Sequence, residues 1–154
     1  MHASAIFDQP MADIADLLRK SKTIAVVGLS PKIHRASYSV AADMQAHGYR
    51  IIPINPREAG KMILSERCYA DLAEAQQHHH IDIVDCFRSA DDIPPIAQAA
   101  IQIGARCLWM QSGIVNIDAA RSAHEAGLIV VMDRCLKIEH QRLLVNINTY
   151  TESQ

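Results

Sequence analysis

The chain has 154 residues, about half of them apolar, and a formal net charge of −2. That length suits one domain with a core of its own. The charge, with no dense stripe of Lys and Arg, excludes a nucleic-acid footprint. No apolar run is long enough to cross a bilayer, and residues 1–20 lack the parts of a secretory signal, so the expected setting is cytoplasmic, with no membrane partner. Four cysteines (Cys68, Cys86, Cys107, Cys135) stand far apart and form no CxxC pair, which argues against a disulfide framework or a zinc motif.

In chain order, "DQPMADIADLLRK" places Met11, Ile14, Ala15 and Leu18 at helical spacing, with Asp8 as cap and Pro10 in the first turn. This predicts an N-terminal helix over 8–20, ahead of a core over 23–144 and a short C-terminal tail. Five apolar, β-branched runs follow: Ile24–Val27, Ile51–Ile54, Ile81–Cys86, Cys107–Met110 and Leu128–Met132. Continuous apolar runs fit strands buried on both faces of a parallel sheet. Helical patterns separate them: Ser37 to His47, a segment after Asp92, and one capped by Asn116, with Gly48, Gly104 and Gly127 where these helices should stop. Residues 57–77 read as a loop, a short edge strand near Arg67 to Tyr69, and a short helix from Asp71. A last helix is expected over about Lys137 to Leu144. Strand alternating with helix predicts a Rossmann-like, doubly wound α/β fold in three layers, with a mainly parallel sheet of five or six strands.

In such sheets ligands bind outside the carboxyl ends of the strands. The tripeptides there are Gly28-Leu29-Ser30, Asn55-Pro56-Arg57, Phe87-Arg88-Ser89, Gln111-Ser112-Gly113 and Asp133-Arg134-Cys135. Any one of them alone reads more readily as an ordinary polar loop. Five together, with cations among them, predict a shared pocket. The first loop carries the signature of a phosphate site: Gly28 lets backbone approach a ligand, a helix starts near Ser37, and Lys32, His34 and Arg35 stand beside it. A single glycine makes a poor G-x-G-x-x-G, and the second strand ends in Asn55 rather than an acid. Arg57 just beyond suits a phosphorylated ribose, which NADP and coenzyme A share.

The ordered stretches "VVGLSP", "RASYSVA", "GYRIIPINP", "DIVDCFR", "GARCLWMQSGIVN" and "AGLIVVMDRCLKIEH" resemble the small single-domain CoA-binding proteins of bacteria. That family is similar to the N-terminal CoA-binding domain of the succinyl-CoA ligase α subunit. The resemblance runs from Thr23 to Leu144. It implies that Gly28, Leu29 and Ser30, with the helix start at Arg35, Ser37 and Tyr38, meet the diphosphate of CoA or an acyl-CoA. Asn55, Pro56 and Arg57 would lie by the adenosine and its 3′-phosphate, with Arg57, Lys61 and Arg35 all candidates for the 3′-phosphate cation. Phe87 and Arg88 would wall the nucleotide, and Gln111, Ser112, Gly113, Asp133, Arg134 and Cys135 would line the route of the pantetheine arm. The ligases carry a second domain with a phosphorylated histidine, whereas the resemblance ends about where the CoA-binding domain does and His140 matches no such motif, so the resemblance implies binding and not ligase chemistry.

The remaining motifs read plainly. His78-His79-His80 is a solvated helix end rather than a metal site, since adjacent helical residues point apart. Ser30 in "GLSPK" lacks the second glycine of a nucleophile elbow. Trp109 and Met110 belong to the core, and Asp82 and Asp85 bracket the third strand without forming a carboxylate pair. Cys135 beside Arg134 is either a buried turn residue or a thiol able to form a mixed disulfide with CoA. A side chain at Gly28 would block the approach to the phosphates. The expected function is non-catalytic binding of CoA as sensor, carrier or regulatory module, in a monomer or homodimer. The alternatives are an NADP-type oxidoreductase and a protein-interaction module that CoA stabilises.

Overall fold

The computed structural model describes residues 9–152, with side chains to residue 145. The cap expected at Asp8 lies outside them. Helix α1 (Met11–Lys20) starts directly after Pro10, which stands at the N-cap rather than within the first turn. Strand β1 (Thr23–Val27), α2 (Ala36–Ala46) and β2 (Arg50–Ile54) follow. A small hairpin, β3 (Met62–Ile63) and β4 (Glu66–Arg67), leads to α3 (Leu72–Gln76). Then β5 (Ile83–Cys86), α4 (Ile93–Gln102), β6 (Cys107–Met110), α5 (Ile117–Glu125), β7 (Ile129–Val131) and α6 (Leu136–Glu152) complete the alternation.

The five long strands form one sheet in the order β2-β1-β5-β6-β7, every pair parallel. Sheet strands counted along the chain thus run 2-1-3-4-5, so the connection direction reverses between β1 and β5. Because side chains alternate across a strand, one row of residues serves each face. Ile24, Ile51, Ile83, Cys107 and Val131 pack with Val26 and Trp109 beneath α1, α2 and α6. Ala25, Ile52, Val84, Leu108 and Val130 pack beneath α3, α4 and α5. The helices facing the second layer bring mostly alanines (Ala97, Ala100, Ala119, Ala120, Ala123), all buried, which lets them lie close to the sheet.

Two expectations need correction. The edge strand placed at Arg67 to Tyr69 is instead the second arm of the β3–β4 hairpin, and Tyr69 touches the main sheet only through a parallel bridge to Ile54. The turn is made by Leu64 (φ 52°) and Ser65 (φ 64°), left-handed at both positions without the Asn-Gly that usually marks it. Gln45 secures that turn by donating from Nε2 to the Leu64 carbonyl at 2.8 Å. The last helix runs to Glu152, not to Leu144, so the short C-terminal tail gives way to helix. No Gly or Pro follows Leu144 to stop it.

Candidate functional site

The reversal between β1 and β5 puts Gly28 and Phe87 side by side at the strand ends. Gly28 (φ 89°) donates its N–H to Ile54 at 2.8 Å, and Phe87 donates to Val27 at 2.9 Å. A Cβ on Gly28 would stand 2.9 Å from Arg88 Cδ and 3.0 Å from the Phe87 carbonyl oxygen. The expected obstacle was to an incoming phosphate. The nearer one is the protein's own segment just after β5, Phe87 and Arg88, which passes too close for a side chain without a shift.

Two hollows open on either side of Gly28 and Arg88. The first, about 310 Å³, is lined mainly by apolar groups: Val27, Ile54, Pro56, Leu72, Pro95, Ile96 and Ala99, with Asp71, Asp92 and Arg88 at its rim. The second, about 480 Å³, is lined by Ser30, Pro31, Lys32, Arg35, Ala36, Ser37, Asn55, Arg57, Glu58, Phe87 and Arg88. Lys32, Arg35 and Arg57 have no ion pair with any described carboxylate, whereas Arg88 faces Asp92 at 3.7 Å and Lys61 pairs with Glu58 at 3.5 Å. Lys61 does not line the hollow and its charge is matched by Glu58, which leaves Arg35 and Arg57 of the three expected cations. The start of α2 has no side-chain cap. Its first N–H groups have no acceptor within the helix, and they carry the positive end of its dipole.

The loop is held by its own side chains. Ser37 Oγ accepts from the Ser30 N–H at 3.1 Å, and Ser30 Oγ accepts from the Lys32 N–H at 3.1 Å. Asn55 uses both ends of its amide: Nδ2 donates to the Leu29 carbonyl at 3.0 Å and Oδ1 accepts from the Arg57 N–H at 3.0 Å. It ties the end of β2 to the loop after β1. Leu29 is fully buried, so its side chain anchors the loop from below and offers a ligand only backbone. Tyr38 is partly buried against the core under α2 and lines neither hollow.

The residues expected on the far side of the cleft divide. Ser112, Asp133, Arg134 and Cys135 line a separate hollow of about 480 Å³ with Gln9, Met11, Ile138, Glu139 and Arg142. Gly113 spends its N–H on Asp133 Oδ1, and Asp133 adopts φ 60° to receive it. Gln111 is buried and turned inward, donating from Nε2 to Asp85 Oδ1 at 2.7 Å. Its side chain therefore faces the core, contrary to a place along the ligand route. Burial pushes the Asp85 carboxyl up to about 7, with the Gln111 bond opposing, so much of it carries a proton at neutral pH. Among the described cysteines only Cys135 is not fully buried, and burial drives the Cys86 and Cys107 thiols well above their ordinary range.

The sequence reading named Gly28, Pro56 and Arg88 of the first hollow but missed its apolar wall. Leu72, Pro95 and Ile96 look like core positions of short helices, and only the tertiary packing leaves their outer edges facing the cleft.

Fold and cleft together define a doubly wound α/β protein whose candidate ligand site sits at the switch point of the sheet. Over residues 22–141 the chain matches the CoA binding domain, and it belongs to that family. The uncharacterized protein YneT of Bacillus subtilis (strain 168) is 40% identical over 131 residues, which cover 84% of this chain and 93% of YneT. A hypothetical protein from Pyrococcus horikoshii OT3 superposes with a TM-score of 0.84 at 36% identity, covering 90% of this chain and 95% of that one. A structure from Thermus thermophilus (cell-free ID.343) gives a TM-score of 0.83 at 32% identity, covering 88% and 99%. No described helix is long and apolar enough to cross a membrane.

Proposed function

We propose that this chain binds coenzyme A or an acyl-CoA in the paired hollows around Gly28 and Arg88 without transforming it. The observation that carries the reading is the division of that cleft. An apolar slot beside Pro56, Ile96 and Leu72 adjoins a basin with three unpaired cations and an uncapped helix start. A flat, weakly polar base fits the slot, and phosphates fit the basin. Arg35 and Arg57 are the cations for the 3′-phosphate, and membership of the CoA binding domain family supports that ligand over NADP. The far hollow beside Cys135 is where an acyl or thiol end would come to rest. Binding without catalysis is supported by the lining itself. No histidine lines either nucleotide hollow, and the Ser30 and Ser37 hydroxyls are occupied by backbone N–H groups. A sensor or carrier role follows from that.

Thermal unfolding with CoA, 3′-dephospho-CoA and NADP side by side tests the proposal. A ligand at ~100 times its Kd adds about 2.7 kcal/mol, a rise of roughly 5–10 °C for a chain of this size. CoA should give that rise, and the dephospho form a smaller one. A rise with NADP alone would restore the oxidoreductase reading, and no rise with any of the three would remove the cleft from consideration.

A further inference from the structure

Helix α2 begins at the cleft and ends at His47, about 16 Å away at ~1.5 Å per residue. At that far end three metal-capable side chains meet. Asp43 and His47 are four residues apart and so share one helix face. The third, His140, comes from α6, which packs across α2. The rings of His47 and His140 have centroids 4.7 Å apart, and one ligating atom from each of Asp43, His47 and His140 lies within 4.8 Å of the others.

Two polar atoms of these side chains make no hydrogen bond. His140 is 8% exposed and its Nδ1 makes no hydrogen bond, and Oδ2 of Asp43 is likewise buried without one. His47 Nδ1 stands 3.7 Å from that oxygen. Folded chains rarely leave two neighbouring buried polar atoms unmatched unless something else completes them. His47 Nδ1 sits 2.8 Å from the Asp43 carbonyl, which can only accept, so in the neutral ring Nδ1 carries the proton and Nε2 is the nitrogen with a lone pair. A backbone carbonyl behind the ring is how ligating histidines are commonly oriented. Tyr49 meets His140 edge-on at 5.7 Å but spends its hydroxyl on the Leu18 carbonyl, so it walls the cluster without joining it.

We infer that Asp43, His47 and His140 form a site for one divalent transition-metal ion of the zinc type, clipping α6 to the end of α2. Two imidazoles and a carboxylate are the donor set such ions take, at bonds of about 2.0–2.2 Å, which bring tetrahedral ligands to roughly 3.3 Å apart. Pivoting of the exposed His47 ring about its carbonyl-held Nδ1 closes the remaining gap. Three protein ligands leave a fourth position for water or a small solute. Magnesium and calcium, which ask for six or more oxygens, do not fit.

The test is titration of the reduced, untagged full chain with Zn²⁺ against a chromogenic zinc indicator, with Mg²⁺ as control. The surface run His78-His79-His80 is a rival binder, so the titration is repeated with all three changed to glutamine. One zinc per chain should bind in both proteins. His47→Gln and Asp43→Asn in that background should weaken it by more than roughly 100-fold, since loss of a mere outer partner costs 10–100-fold. His47 is exposed, and unfolding of the zinc-free His47→Gln chain at the wild-type temperature would show its fold intact. CoA binding at the other end of α2 should be unchanged, which keeps this outcome separate from that of the cleft. Zinc uptake unaffected by His47→Gln and Asp43→Asn, uptake that disappears with the His78–His80 run, or no stoichiometric uptake at all would each overturn the inference.

Discussion

The carboxyl of Asp85 lies within β5, fully buried, with Gln111 donating to one oxygen and no hydrogen-bond partner on the other. A carboxyl raised from its ordinary 3.8 to about 7 holds its proton more firmly in the folded chain than in the unfolded one, by about 4 kcal/mol. The sign follows directly. Below 3.8 both states are protonated and the stability this group permits is fully present. Between there and about 7 the unfolded chain loses its proton while the folded chain keeps it, so stability falls as pH rises, and above about 7 the loss is complete. Asp85→Asn removes the titration while keeping an acceptor for Gln111. Its new amide N–H₂ costs about 1–3 kcal/mol if left unpaired, so the variant can be the weaker protein in acid. The pH dependence of the difference, not its absolute size, is therefore the quantity to read. Urea unfolding followed by emission of Trp109, the single tryptophan and fully buried, supplies it from pH 4.5 to 8.5. The variant should gain on wild type by about 3 kcal/mol across that range, since about 1 of the ~4 kcal/mol is already lost by pH 4.5. A difference constant with pH, or one moving the other way, would refute a buried, protonated Asp85.

Other outcomes follow from the same geometry. Arg57→Ala and Arg35→Ala should each weaken CoA binding about tenfold or more, the loss of one charge-assisted contact, and the responsible cation should make little difference to 3′-dephospho-CoA in an isothermal titration. Gly28→Ala should lower stability by about 1–3 kcal/mol even without ligand, because φ 89° and the Phe87 carbonyl both oppose a Cβ, and thermal unfolding of the unliganded chain would show it. Asp82 accepts from the N–H groups of Lys22 and Thr23, at 2.8 and 3.1 Å, and pairs with Arg106. Burial pushes its carboxyl up, but those N–H groups with His80 and Arg106 outweigh it and hold it below the ordinary value. Asp82→Ala should cost about 2–4 kcal/mol by urea unfolding at pH 7, with a smaller cost as pH falls below about 4 and wild type loses the same contribution.

Much of the site was legible because its signals are local. A glycine after an apolar run, a helix starting a few residues on, and cations between them are all read within one short stretch, and Gly28, Ser30, Arg35, Ser37, Asn55, Pro56, Arg57, Phe87 and Arg88 line one candidate cleft. Helix starts were legible for the same reason: Asp71 and Asn116 cap with their own side chains, on Glu74 and Ala119. The direction a side chain takes was not. Leu29 and Gln111 stand at strand ends like their neighbours, yet one is drawn into the core and the other is turned inward by Asp85.

The sequence by itself determined the alternation of strand and helix, because hydrophobic periodicity and capping are properties of a few consecutive residues. It also determined which tripeptides lie at the strand ends, since in a parallel sheet every strand ends on the same edge. Only the tertiary structure decided which edge strand neighbours which, that the cleft has an apolar half between α3 and α4, and that His140 closes on Asp43 and His47. Those depend on packing between segments far apart in the chain, where a side chain's surroundings are set by partners that no local pattern names.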